Sequence, residues 1–202
     1  MKTAVLATNN PGKVREVRAI LAGLPLCLKT PAELGIRAAV RETGETFEEN
    51  AVLKALTYAA LAGKPAVADD SGLEVPALGG APGVHSARYA GEGATDRERF
   101  EKLLSELKRV GARDRRAVFR CVAALATPDG RVWTRSGELW GEIAPEPRGE
   151  GGFGYDPVFF LPELGRTLAE LSPEEKNQIS HRGKAFRALA ELLAELIGRG
   201  EL

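Results

Sequence analysis

Ala66-Val67-Ala68 runs straight into Asp69-Asp70-Ser71-Gly72, so an apolar run that has to be buried meets two adjacent carboxylates that burial penalises. A strand carrying acids at its carboxyl end resolves that conflict, because open α/β sheets bind ligands in the crevice beyond their strand ends. Hard divalent cations such as Mg²⁺ take a few carboxylate oxygens together with substrate phosphates, so the segment points to metal-dependent phosphate chemistry. Asp, Ser and Gly also dominate turns for local reasons, and in isolation the same string reads as a plain turn.

The flanking stretches predict an α/β order. Residues 3–7 read as a strand that breaks at Thr8-Asn9-Asn10-Pro11-Gly12, before a helical spacing in Val14, Val17, Ile20 and Leu21. A second strand is expected around residues 26–29, followed by a stretch without a clear pattern. Thr46 and Glu49 form a capping box for a helix that Gly63 and Pro65 end. Glycine and proline crowd residues 76–93, which predicts a long functional loop. Thr95 and Glu98 open a helix to about Val110, and residues 116–127 and 131–143 flank Pro128-Asp129-Gly130 as a hairpin. Residues 121–126 are apolar on both faces, which places them near the middle of a sheet. Pro173 and Ser180 mark the starts of the last two helices. The expected architecture is an α/β fold with a mixed sheet flanked by helices, in one domain spanning residues 1–202.

Lys plus Arg and Asp plus Glu both total 28, which removes any general attraction to nucleic acid or an anionic membrane and favours a small-molecule partner. No apolar run reaches membrane-spanning length. Cys27 and Cys121, the only cysteines, sit in apolar strings that suit buried thiols in a reducing cytoplasm.

Four clusters carry chemistry. Thr8, Asn9, Asn10, Pro11, Gly12 and Lys13 lie between a strand and a helix, where free N–H groups and the helix dipole bind anions and Lys13 adds a cation. Ala7 and Val14 occupy positions where a Walker A loop needs glycine and serine or threonine, so this is a different phosphate loop. Glu42 and Glu45 precede a helix in which Asn50 and Lys54, four apart, share a face; the same charges also suit a solvated helix edge. Phe153, Gly154, Tyr155 and Asp156 offer aromatic faces on which a base can stack, or a packed aromatic corner. Lys176, His181 and Arg182 supply donors for a base or a phosphate, while His85 reads as a surface histidine.

Taken in order, Ala7-Thr8-Asn9-Asn10 through Lys13, Glu42-Thr43-Gly44 through Lys54, Ala68-Asp69-Asp70-Ser71-Gly72, Pro82-Gly83-Val84 through Gly91, Phe153-Gly154-Tyr155-Asp156-Pro157 and Ser180-His181-Arg182-Gly183-Lys184 resemble the inosine/xanthosine triphosphate pyrophosphatase family across nearly the whole chain. The resemblance implies an elongated α/β fold with two lobes and a central cleft, a homodimer, Mg²⁺ as cofactor, and hydrolysis of ITP, dITP and XTP to the monophosphate and pyrophosphate. It further implies that residues 8–13, Lys54 and Ser71 hold the phosphates, that Glu42 and Asp70 bind the metal, and that Asp70 accepts the proton. By the same resemblance Phe153 stacks on the purine, with Gly154, Tyr155, Asp156, Lys176, His181 and Arg182 around it. Rival readings are a related pyrophosphatase for modified pyrimidine nucleotides and a non-catalytic nucleotide- or RNA-binding module.

Overall fold

Hydrophobic alternation and capping signals produce twelve regular elements in the computed structural model, which describes residues 2–202. They are β1 (Lys2–Leu6), α1 (Pro11–Ile20), β2 (Leu26–Lys29), α2 (Phe47–Ala62), β3 (Ala66–Glu74), α3 (Asp96–Arg109), β4 (Arg116–Ala126), β5 (Val132–Ile143), β6 (Phe159–Leu161), β7 (Arg166–Thr167), α4 (Pro173–Ile179) and α5 (His181–Gly198). The strands form one sheet in the order β2-β1-β3-β4-β5-β6-β7. β1 pairs in parallel with β2 and β3, whereas β5, β6 and β7 pair antiparallel, so the sheet is mixed as expected. The segment of residues 121–126 lies in the central strand of that order.

The chain divides into two compact units, each built from separated segments. Unit 1 takes the chain up to Asp70, then Cys121–Gly137 and His181–Leu202. The later part of β1, the first part of β3 and the later part of β4 are largely buried on both faces. On one face Leu6, Val67, Cys121, Ala123 and Leu125 pack with Val17 and Leu21 of the α1 region and with Phe186, Leu189, Leu192, Leu193 and Leu196 of α5. On the other, Val5, Ala7, Ala66, Ala68, Ala124 and Ala126 pack with Ala51, Ala55, Tyr58 and Ala59 of α2. The α2 helix carries the expected capping box, with Thr46 accepting from the Glu49 amide, and ends on Gly63 in the left-handed region at φ 58°.

Unit 2 comprises Ser71–Arg120 and Glu138–Ser180. Its core gathers Leu73, Val75, Phe119, Leu139, Val158 and Phe159 beneath Phe100, Leu103 and Leu107 of α3. The α3 helix has the second expected capping box, Thr95 with Glu98, and α4 a third, Ser172 with Glu175. The glycine-rich stretch contains short 3-10 turns at Pro76–Leu78 and Gly83–Arg88.

Sequence patterns and structure part at β3. The strand does not end on its acids; it continues through Asp69, Asp70, Ser71 and Gly72 to Glu74. Leu73, fully buried in the core of unit 2, explains the extension. The short strands β6 and β7 carried no signal of their own. With three and two residues, they are too brief for a period to register.

Candidate active site

Asp69 and Asp70 are consecutive in β3, and consecutive strand residues point to opposite faces. Val67 packs on the α1/α5 side while Ala66 and Ala68 pack on the α2 side, so Asp69 faces α1 and α5 and Asp70 faces α2. One strand thus places two identical side chains in two different electrostatic settings.

On the α1/α5 side, Lys13 Nζ lies 2.9 Å from Asp69 Oδ2. Arg182, the second residue of α5, donates to the same oxygen from Nε at 3.3 Å and Nη2 at 3.2 Å, and from Nη1 to Glu16 Oε2 at 2.7 Å. Arg182 is 2% exposed and Asp69 1%. Burial by itself would raise the Asp69 carboxyl, but Lys13, Arg182 and Lys54 outweigh it and hold the group well below the ordinary carboxylate range. Burial pulls Arg182 down while Asp69 and Glu16 pull it further up, so it stays charged. The Cys121 thiol, 3.9 Å from Asp69 Oδ2, is driven up by burial and by that carboxylate, which leaves it an inert thiol.

On the α2 side, Asn50 and Lys54 do share one helix face and both reach the acids. Asn50 Nδ2 donates to Asp70 Oδ2 at 3.1 Å, and its Oδ1 accepts from the Gly44 amide at 2.8 Å. Lys54 is buried rather than reaching solvent; its Nζ makes a short hydrogen bond to Glu42 Oε1 and lies 3.7 Å from Asp70 Oδ1. Burial would lower Lys54, and Asp70, Asp69 and Glu42 together raise it instead. Asp70 is also raised, but here by burial: Lys54 and Lys13 oppose the rise, and Glu42 and Asp69 add to it. Two carboxylates therefore flank one ammonium, and one of them is a strengthened base. Glu45 stands apart, exposed, with its amide donating to Glu49.

Among the described residues no group of three or more His, Cys, Asp and Glu is arranged to hold a metal ion by itself. The oxygen-only pair of Glu42 and Asp70 nevertheless suits a hard cation that draws its remaining ligands from phosphates and water. Lys54 between the two shows that the spot is electrostatically made for positive charge.

Ala7 to Asn10 join β1 to α1, and Pro11, Gly12 and Lys13 form the first turn of that helix. Asn10 is the N-cap, its Oδ1 accepting from the amides of Gly12 at 2.8 Å and Lys13 at 3.2 Å, while Thr8 Oγ1 accepts from the Asn10 amide. Asn9, Asn10 and Pro11 are exposed, and no acidic residue sits in the first turn of α1, which keeps the positive helix end open to an anion.

Unit 2 holds the aromatic candidates. Phe153 is half-buried with Lys176 Nζ 4.6 Å above its ring centroid, and Lys176 Nζ lies 2.5 Å from Asp156 Oδ2. Asp156 Oδ2 also accepts from the Phe153 amide at 2.8 Å. Gly152 has φ 72°, and a Cβ there would collide with the Asp156 carboxylate. Tyr155 is a core residue whose hydroxyl donates to Ser86 O at 2.8 Å, and Ser71 is half-buried in β3. His181 opens α5 in unit 1, where a Cβ on Gly137 of β5 would strike its carbonyl oxygen. His85 lies in the 3-10 turn beside Arg88, its Nδ1 3.0 Å from Nη2.

Asn50 and Asp69, which the sequence sets beside Lys54 and Asp70, and Glu16, which no motif singles out, complete the arrangement. Each had a signal: Asn50 lies four residues before Lys54, Asp69 adjoins Asp70, and Glu16 lies one helical turn after Lys13.

A chain with this geometry has close relatives. It is 53% identical over 193 residues to the dITP/XTP pyrophosphatase of Geobacter sulfurreducens, covering 96% of this chain and 97% of that one. It is 55% identical over 187 residues to the enzyme of the same name from Thermus thermophilus, covering 93% and 89%. The solved structure of a HAM1 protein from Coxiella burnetii superposes with a TM-score of 0.89 at 47% identity, covering 96% of this chain and all of that one. Residues 4–192 match the Ham1 family, and the chain belongs to that family.

Proposed function

We propose that the chain hydrolyses non-standard purine nucleoside triphosphates (ITP, dITP and XTP) to the monophosphate and pyrophosphate, removing them from the nucleotide pool. One observation carries this reading: Glu42 and Asp70 flank Lys54 in the same unit that offers the open amino end of α1 and Lys13. Triphosphate oxygens are accommodated by Thr8, Asn9, Asn10, Pro11, Gly12 and Lys13, with Lys54 and Ser71 assisting. Glu42 and Asp70 would hold magnesium, which when bound would neutralise phosphate charge. Asp70, whose carboxyl burial has raised, takes a proton from water as the water oxygen bonds to the α-phosphorus. The bond from that phosphorus to the bridging oxygen breaks, and pyrophosphate leaves with the electron pair. Lys13 and Lys54 hold positive charge where negative charge builds up.

Phe153, Gly154, Tyr155, Asp156 and Lys176 are assigned to base stacking and recognition, and His181 and Arg182 as hydrogen-bond donors. Hypoxanthine and xanthine present a carbonyl at the six-position, whereas adenine presents an amino donor that donors on the protein reject. Residues 1–202 are assigned to one catalytic domain in a cytoplasmic homodimer. The balanced charge supports a free nucleotide rather than nucleic acid as partner.

The test is product identification with Mg²⁺ and a panel of ITP, dITP, XTP, ATP, GTP and modified pyrimidine triphosphates. Monophosphate and pyrophosphate from the first three at rates far above the rest are expected. Orthophosphate as product, or a preference for pyrimidines, would remove the assignment.

A further inference from the structure

Residues 152–156 carry glycines at φ 72° and φ 65°, Gly152 and Gly154, so this turn lacks the rotational restriction that would hold Phe153 by itself. Two carboxylates hold it, one from within the turn and one from outside. Asp156 accepts from the Phe153 amide, and Asp96 Oδ2 accepts from the Gly154 amide at 2.7 Å. Asp96 comes from another element, the first residue of α3. It is not needed to cap that helix, because Thr95 and Glu98 already satisfy the end with a capping box. Its second oxygen, Oδ1, is oriented by Arg99 Nη1 at 2.7 Å, one turn further along α3. A carboxylate fixed by an arginine and directed at one backbone amide is a positioning device, since charge-assisted hydrogen bonds are short and strongly directional.

We propose that Asp96 is a positioning residue for base recognition: it anchors the Gly154 peptide to α3, so that the Phe153 ring stays beneath Lys176 with a fixed plane for the purine. Asp96 contacts neither base nor phosphate in this role, and it acts through Phe153. The inference rests on the reading of Phe153 as the stacking residue and deepens it.

The experiment measures kcat and KM for dITP in the wild type, Phe153→Ala, Asp96→Ala, Asp96→Asn and the Asp96→Ala/Phe153→Ala double variant. Asp96→Ala is expected to raise KM about fivefold to tenfold with kcat within about twofold, the size of one ordinary hydrogen bond. Asp96→Asn retains an acceptor oxygen and is expected to recover most of that loss. In the Phe153→Ala background the Asp96→Ala change is expected to add nothing, because the ring it positions is gone. If Phe153→Ala raises KM but Asp96→Ala does not, or if Asp96→Ala costs the same in both backgrounds, the positioning role is overturned while stacking stands. If Phe153→Ala leaves KM unchanged, stacking falls and the role of Asp96 falls with it. Should Asp96→Ala fail to fold, Asp96→Glu makes the same comparison, because it keeps the charge but moves it away from Gly154.

Discussion

Asp70 is the residue on which most depends, and its setting predicts a trade between activity and stability. Burial raises its carboxyl, so ionising Asp70 costs more in the folded protein than in the unfolded chain. The sign follows: stability linked to Asp70 is present at low pH and is lost as pH rises through its raised folded value. Asp70→Asn is therefore expected to abolish turnover while melting above the wild type at pH 7, an advantage that shrinks as the pH is lowered and the wild-type carboxyl protonates. Pyrophosphate release and thermal melts at several pH values check both halves. Arg182 behaves oppositely. Its guanidinium joins Asp69 and Glu16 inside unit 1, and Arg182→Ala leaves Asp69 buried with one cation fewer. A cost of about 3–5 kcal/mol is expected from breaking a buried pair on one side, read by urea unfolding. A narrowed gap between ITP and ATP hydrolysis would show that the same residue also reads the base. The sequence announced the acids and the arginine but not which acid meets which cation. That depends on the facing of alternate strand residues, which β3 decides only once its neighbours are in place.

Elements whose ends carry their own chemistry were the most legible. Thr46 with Glu49 and Thr95 with Glu98 mark helix starts through bonds between residues three apart, and Pro173 marks one by its fixed φ, so the local string contains the whole signal. The reach of β3 past its acids, and the strands β6 and β7, rest on packing against residues far away in the chain, and no local pattern encodes them. The turn before α2 links the two kinds of information. Asn50, fully buried, is gripped by Gly44 and in turn holds Asp70. A Cβ on Gly44 would lie 2.7 Å from Glu49 Cβ and 2.8 Å from Asn50 Oδ1. Gly44→Ala is thus expected to displace Asn50 and lower kcat tenfold or more, on the order of 1.4 kcal/mol of barrier, with far-ultraviolet circular dichroism unchanged. Wild-type kcat in that variant would separate the turn from catalysis.

On the scale of the molecule, Ham1 family membership extends from residue 4 to residue 192, almost the full chain. That breadth was legible because six short strings kept their order and spacing. The division into units was not, since each unit draws on segments that the sequence separates widely. The interleaving has a consequence for how the protein comes into being. The first unit begins with β1 but lacks one wall until α5 arrives, because Phe186, Leu189, Leu193 and Leu196 cover Leu6, Val67 and Leu125. A chain ending at Ser180 is expected to show no cooperative thermal transition in calorimetry. During synthesis β1 leaves the ribosome long before the helix that shelters it, so the nascent polypeptide must wait, partly unwrapped, until residues 181–198 have emerged.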